Sequence, residues 1–266
     1  MKIVVLIKQV PEPGSVQIDE VTGTVQRREA DAVVNPIDLH ALESALRLAN
    51  VYNGMTYVFS MGPKSADFAV REALAMGIDS AFLLSDRAFA GSDTYATSTI
   101  LAAAIRAIVP DFDVILCGER ASDGDTGQVG PEVAAALGIP VVTWVSRINS
   151  WHNGTLELCH RLEGGQEEVS VTGPALLTVN KEVGVPRLPT LTGKRRARSA
   201  DVPVLTRQSL NLSLEETGQK GSPTSIVKIF RPQWLRRGVM CHVTGGESLA
   251  SAVNQLVDHL EEKELI

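Results

Sequence analysis

The stretch CGERASDGDTGQVGPEVAAALGIP, Cys117 to Pro140, follows the apolar run FDVIL and crosses eight residues dominated by Gly, Asp and Thr before apolar periodicity returns. Gly118 lets the backbone leave a strand without a Cβ penalty, and Gly124, Gly127 and Gly130 permit close approach or positive φ. Asp125 and Gln128 have capping-box spacing, which predicts a helix start there, with Pro131 removing one early helical hydrogen bond. Bare amides at a helix N-terminus form a ready anion site. In isolation the stretch reads as a turn, a metal pair, a phosphate cradle or the mouth of a cofactor pocket.

On either side of it the chain repeats one alternation of elements. KIVVLIKQV (2–10) is continuous and β-branched, as in a parallel strand buried on both faces. VQIDEVTGTVQ (16–26) predicts a small hairpin around Thr22-Gly23. NPIDLHALESALRLAN (35–50) carries apolar residues at helical spacing with Pro36 in the first turn. Strand, helix, strand, helix and strand then follow over 55–62, 64–77, 80–86, 94–109 and 112–118. The pattern predicts an α/β fold, a mostly parallel sheet with helices on both faces. After Pro140, short alternating runs broken by Asn-Gly and Gly-Gly predict an antiparallel meander over 140–172, and PALLTVN (174–180) one more buried strand. Residues 181 to 248 read as an extended arm, with SIVKIFRP the one segment speaking against disorder, and a last helix spans 248–262. The domain reading is 1–180 for the α/β unit with its meander and 181–266 for the arm and last helix.

Composition restricts the function classes. The chain has 266 residues, 44% apolar and 21% charged, which suits a folded globular protein. A net charge of −6 gives no reason to expect nucleic acid or an anionic membrane as partner. Only GKRRARS (193–199) is strongly basic, and on composition alone it is a solvated loop. Three scattered cysteines suit a reducing cytoplasm, and the apolar run between Lys2 and Lys8 is too short for a signal or membrane segment.

Ligands of open parallel sheets bind beyond the carboxyl ends of the strands. Lys8-Gln9, Met61-Gly62-Pro63 and the opening stretch all fall there. No G-x-x-x-x-G-K-[ST], dinucleotide fingerprint, H-x-x-x-H or G-x-S-x-G occurs, so no nucleophile emerges and no catalytic residue is expected. A hydrolase placing Asp123 and Asp125 on a metal, and a nucleotide-binding scaffold without redox work, are the competing classes.

Several segments together resemble the beta subunit of electron-transfer flavoproteins: VVLIKQVPEP, VNPIDLHALESALRL, REALAMGID, LCGERASDGDTGQVGPEVAAALGIP, VNKEVGVPRLPTLTGKRRA and GSPTSIVKIF, in family order along nearly the whole chain. The resemblance implies a Rossmann-like, adenine-nucleotide-binding fold. It implies a heterodimer with an alpha subunit carrying its own FAD, and electron transfer only as that complex. Nucleotide contacts would fall on Leu6, Asn35, Pro36, Ile37, Asp38, Met61, Gly118, Arg120, Ala121, Ser122, Asp123, Gly124, Asp125, Thr126, Gly127, Gln128 and Val129. Members holding AMP tend to read DDDxNQTGQ in this loop. DGDTGQVGP is instead similar to the electron-bifurcating subset, which holds FAD there; AMP is the alternative. Val10 and Pro11 would then lie near the flavin ring. The resemblance also turns Pro189 to Arg198 into a docking loop for an acyl-CoA or other dehydrogenase, with Leu191 as anchor and Lys194, Arg195 and Arg196 as a basic rim. Ferredoxin and NADH are further partners that it implies.

Overall fold

The computed structural model describes residues 1–12, 17–18, 25–26, 32–225, 227, 238 and 240–266. In chain order the first unit, Met1–Val227, contains β1 (Lys2–Ile7), β2 (Gln9–Pro11), β3 (Gln17–Ile18), β4 (Val25–Gln26), β5 (Ala32–Val34), α1 (Pro36–Tyr52), β6 (Met55–Met61), α2 (Asp67–Met76), β7 (Ser80–Leu84), α3 (Thr94–Ile108), β8 (Val114–Gly118) and α4 (Val129–Leu137). There follow β9 (Val141–His152), β10 (Thr155–Leu162), β11 (Gly165–Thr172), β12 (Ala175–Val179), α5 (Leu191–Ser199), β13 (Val204–Leu205) and α6 (Gly218–Gly221).

One nine-stranded sheet runs in the order β11-β10-β9-β12-β8-β1-β6-β7-β13. Every pairing from β9 to β13 is parallel; only β9·β10 and β10·β11 are antiparallel. The meander therefore continues the main sheet through β9. Strand periodicity builds two cores from one strand. Ile3, Val5 and Ile7 face Leu42, Ala45 and Leu46 of α1, while Val4 and Leu6 join Ile100 and Ile105 of α3 and Val133 of α4. A strand serving both faces cannot alternate with polar residues, which is why KIVVLI is apolar throughout.

The structure corrects three expectations. The first strand does not run unbroken to Val10. β1 ends at Ile7 because the Lys8 N–H donates to the Asp38 carboxylate at 2.8 Å, and the chain resumes as β2, paired antiparallel with β5. The basic run is a helix. Thr190 caps α5 by accepting from the Gly193 N–H at 2.9 Å, and Ala197 is buried. The arm is also more structured than its weak periodicity suggested, since β13 pairs with β7 at the sheet edge. β3 and β4 form the expected antiparallel pair; Thr22-Gly23, and SIVKIFRP apart from Ser225 and Val227, lie outside the described residues.

α2 and α5 cap each other. Arg71 of α2 donates to the Ala197 and Ala200 carbonyls at 2.6 and 3.2 Å, and Arg196 of α5 donates to those of Leu74 and Ile78 at 2.7 and 2.9 Å. Each arginine serves carbonyls at or just past the other helix's C-terminus, where intrahelical bonding runs out. In the second unit, Lys228–Ile266, α7 (Gly246–Glu262) exposes Leu249, Val253, Leu256 and Val257 at the spacing of one helix face.

Candidate functional site

From β1 the chain moves outward through β6 and β7, then returns to place β8 and β12 on the other side of β1. The order reverses between β1 and β8, and connections leaving a reversal point diverge and open a crevice. Two residues at the start of α1 organise it. Asp38, 5% exposed, accepts from the Lys8 N–H at 2.8 Å and from the Gly118 N–H at 3.1 Å, tying the ends of both strands. Asn35, also buried, receives the chain from β1 through its N–H to the Lys8 carbonyl at 2.8 Å. Its side chain does not cap α1. It donates from Nδ2 to the Arg120 carbonyl at 2.9 Å and accepts at Oδ1 from the Ser122 N–H at 3.2 Å, clasping the loop after β8.

That loop is shaped by its own bonds. The Asp125 N–H closes a turn on the Ala121 carbonyl at 2.8 Å, and Asp125 and Gly127 take φ of +53° and +64°. Lys8 Nζ reaches Asp123 at 2.7 Å, and Arg120 reaches Asp125 at 3.2 Å. The expected capping box does not form. α4 starts at Val129 with Gln128 before it making no side-chain cap, because two left-handed residues keep the chain out of the helix until then. The glycines divide by role. A Cβ on Gly118 would stand 2.4 Å from Asp38 Oδ1, and one on Gly130 2.7 Å from Thr178 Cγ2, whereas one on Gly124 meets nothing within 4 Å.

The structure thus brings Asn35, Pro36, Ile37, Asp38 and Gly118 together with Arg120, Ala121, Ser122 and Asp123. Gly124, Asp125, Thr126, Gly127, Gln128 and Val129 lead from there to α4. Leu6 and Met61, at the ends of β1 and β6, lie beside them on the α3/α4 side of the sheet. Val10 is buried in β2, opposite Val33. Leu191, Lys194, Arg195 and Arg196 are on α5, a separate element against α2. Leu191 is 82% exposed, whereas the Arg196 guanidinium is committed to the carbonyls of α2.

Sequence reading passed over Glu43, a buried acid in α1 that accepts from Arg47 at 2.9 Å and from Arg187 Nε at 2.7 Å. Burial pushes this carboxyl up, but the bonds from Arg187 and Arg47 outweigh that and hold it below its ordinary range. The only sequence signal was an acid on the inward side of an amphipathic helix, beside Leu42 and Leu46.

Asp38 shows the opposite balance. Burial pushes its carboxyl up to about 7, although bonds from Asn35, Lys8 and Gly118 favour the charged form. The folded protein therefore holds a proton here that the unfolded chain releases nearer pH 4. This contribution makes stability fall as pH rises from about 4 to about 7, by up to about 1.4 kcal/mol per pH unit, and level off above. Urea unfolding across that range should show the slope in the wild type and its loss in Asp38→Asn.

Comparison with known proteins adds a family to this geometry. The electron transfer flavoprotein domain model matches residues 22–210. The chain is 44% identical over 267 residues to an electron transfer flavoprotein subunit beta of Thermoanaerobacterium thermosaccharolyticum, covering 100% of both. It is 41% identical over 256 residues to the subunit of the same name from Clostridium acetobutylicum, covering 96% of this chain and 98% of the relative. It is 40% identical over 268 residues to the caffeyl-CoA reductase-Etf complex subunit CarD of Acetobacterium woodii, again covering 100% of both. On the extent of these matches, this chain belongs to the electron transfer flavoprotein family, among its beta subunits.

Proposed function

We propose that the crevice between β1 and β8 holds the ADP portion of an FAD, and that the chain works as a heterodimer with an alpha subunit carrying a second FAD. The pair passes electrons between an acyl-CoA or related dehydrogenase and a further acceptor, by electron bifurcation that would engage ferredoxin and NADH. The observation that carries this reading is the clasp of Asn35 and Asp38. It fixes the loop from Gly118 to Val129 beside the N-terminus of α4, which no side chain caps.

The residues fit an anionic nucleotide held by backbone. Lys8 and Arg120 are each neutralised by an aspartate, so phosphate would be held by loop amides and the positive end of α4. Gly124, with open space around its α-carbon, leaves room for a pyrophosphate and adds no charge beside it. When bound, a flavin supplies the redox chemistry; the chain's share is binding, orientation and electrostatics. Asn35, Asp38 and Gly118 hold the wall, and Leu6 and Met61 offer an apolar floor.

The alpha subunit would also account for the apolar face of α7. Leu191, with Lys194 and Arg195 beside it, suits a transient interface with an acidic dehydrogenase. A cytoplasmic setting belongs to the same reading, supported by three free cysteines. Among the described residues no helix is long and apolar enough to cross a membrane.

The test is the cofactor content of the complex co-purified with its alpha subunit. Two flavins per heterodimer are expected. One flavin plus AMP would replace bifurcation by simple transfer, and a complex without flavin would end both readings in favour of a scaffold.

A further inference from the structure

On the far side of the same loop, between the carboxyl ends of β8 and β12 and the first residues of β9, lies a cavity of about 190 Å³ lined by Glu119, Arg120, Asp125, Thr143, Trp144 and Thr178, with Thr126 and Gly127 of the loop completing it. Two unusual features meet there. The Glu119 side chain is only 8% exposed, yet its Oε2 is buried without any hydrogen-bond partner. Arg120 Nε stands 3.6 Å from the other oxygen, beyond hydrogen-bonding distance, and its guanidinium is engaged by Asp125. Buried carboxylate oxygens are nearly always given a donor, so this one lacks its counterpart within the described residues.

Trp144 is the second feature. Its φ is +58°, a conformation that bulky residues rarely adopt and that concentrates at ligand and partner sites. The Thr178 hydroxyl accepts from the Trp144 N–H at 3.1 Å, and the pairing of β9 with β12 slips register between Leu177 and Val179. The kink leaves Trp144 47% exposed at the cavity instead of buried along the strand.

The lining selects the occupant. Two carboxylates against one guanidinium disfavour a phosphate. The volume is below the roughly 300 Å³ at which small-molecule sites begin, so a whole nucleotide does not fit. An acid without a donor, an exposed indole and three threonines suit a single long cation, which the acid can bind and the indole face can attract.

We propose that this cavity is a socket for one arginine or lysine side chain of a partner protein, with Glu119 as its counter-ion and Trp144 as its wall. The inference rests on the proposed function only for the partner's identity, the alpha subunit. Pairings of this kind, tryptophan with a basic side chain in a desolvated pocket, are typical centres of binding energy.

The test uses full-length chain with Trp151→Phe and Trp234→Phe, so that Trp144 alone fluoresces, titrated with the alpha subunit. Complex formation should shift the Trp144 emission, and Glu119→Gln should raise Kd by about 30-fold. Truncating exposed arginines and lysines of the alpha subunit one at a time should find one whose loss costs nothing further once Glu119 is Gln. Wild-type affinity in Glu119→Gln, with its far-UV circular dichroism intact, would overturn the proposal. So would loss of FAD or AMP binding by the chain alone in Glu119→Gln, which would assign the cavity to the nucleotide. If wild-type chain forms no complex with the alpha subunit, the proposed function falls and the socket falls with it; complex formation without either signature sinks the socket only.

Discussion

Replacing Gly118 by alanine should lower the thermal midpoint by about 6–12 °C and empty the proposed nucleotide site. The new Cβ would stand 2.4 Å from Asp38 Oδ1, 3.0 Å from Ile37 Cγ2 and 3.2 Å from the Asp38 nitrogen. Backbone at a strand end and at a helix start cannot swing aside as a surface side chain can, so the Asp38 carboxylate must move. That movement breaks its bonds to Lys8 and Gly118, the two that tie β1 to β8. Overpacking costs about 1–3 kcal/mol and each buried donor left without a partner about 1–3 more. The low end of these terms together, roughly 3 kcal/mol, gives the stated shift for a chain of this size. Gly124→Ala is the control, since its Cβ meets nothing within 4 Å and it should melt as the wild type does. Equal midpoints and equal bound nucleotide in Gly118→Ala and the wild type would refute the role given to the Asp38 tie.

The second large effect is expected at Gly193, and general helix preference gives the wrong sign for it. Glycine to alanine inside a helix normally stabilises by about 1 kcal/mol. Here the Cβ would be 2.1 Å from the Ala75 carbonyl oxygen, with the Ala75 carbon at 3.1 Å. Both are backbone atoms of α2, so α5 has to back away and the reciprocal bonds of Arg71 and Arg196 stretch or break. We expect a net loss of about 1–3 kcal/mol. We also expect faster tryptic cleavage at Lys194 and Arg195 and, under the proposed function, a dehydrogenase affinity reduced at least tenfold with nucleotide binding unchanged. A stabilised Gly193→Ala would show that α5 does not rest on α2 as described.

The α/β alternation was legible because each of its elements is decided within a short window. A short β-branched run such as VVLI, closed by Lys8, reads as a doubly buried strand, and Leu39, Leu42 and Leu46 mark one helix face. The loop after β8 was legible as a site for a similar local reason, its glycines and position beyond a strand. What escaped was what depends on residues far apart in the chain. The break at Lys8 is dictated by Asp38, and the clasp on Ser122 by Asn35. Capping-box spacing at Asp125 was a local signal overridden by the left-handed backbone at Asp125 and Gly127. α5 was invisible as a helix because its run of arginines has no apolar stripe; part of what holds it, Arg71, sits on another helix.

The mutual capping of α2 and α5 has a kinetic corollary. A partner gripping Leu191, as proposed, meets nine residues of α5 already folded. Ordering such a segment on contact would cost about 1–2 kcal/mol per residue, a penalty normally drawn from the affinity of the complex. With that cost absent, a small apolar knob within a cationic rim can bind usefully without burying much surface. A small interface also lets go quickly, so under the proposed function one carrier visits dehydrogenases in succession, with turnover limited by encounter frequency and not by refolding at each stop.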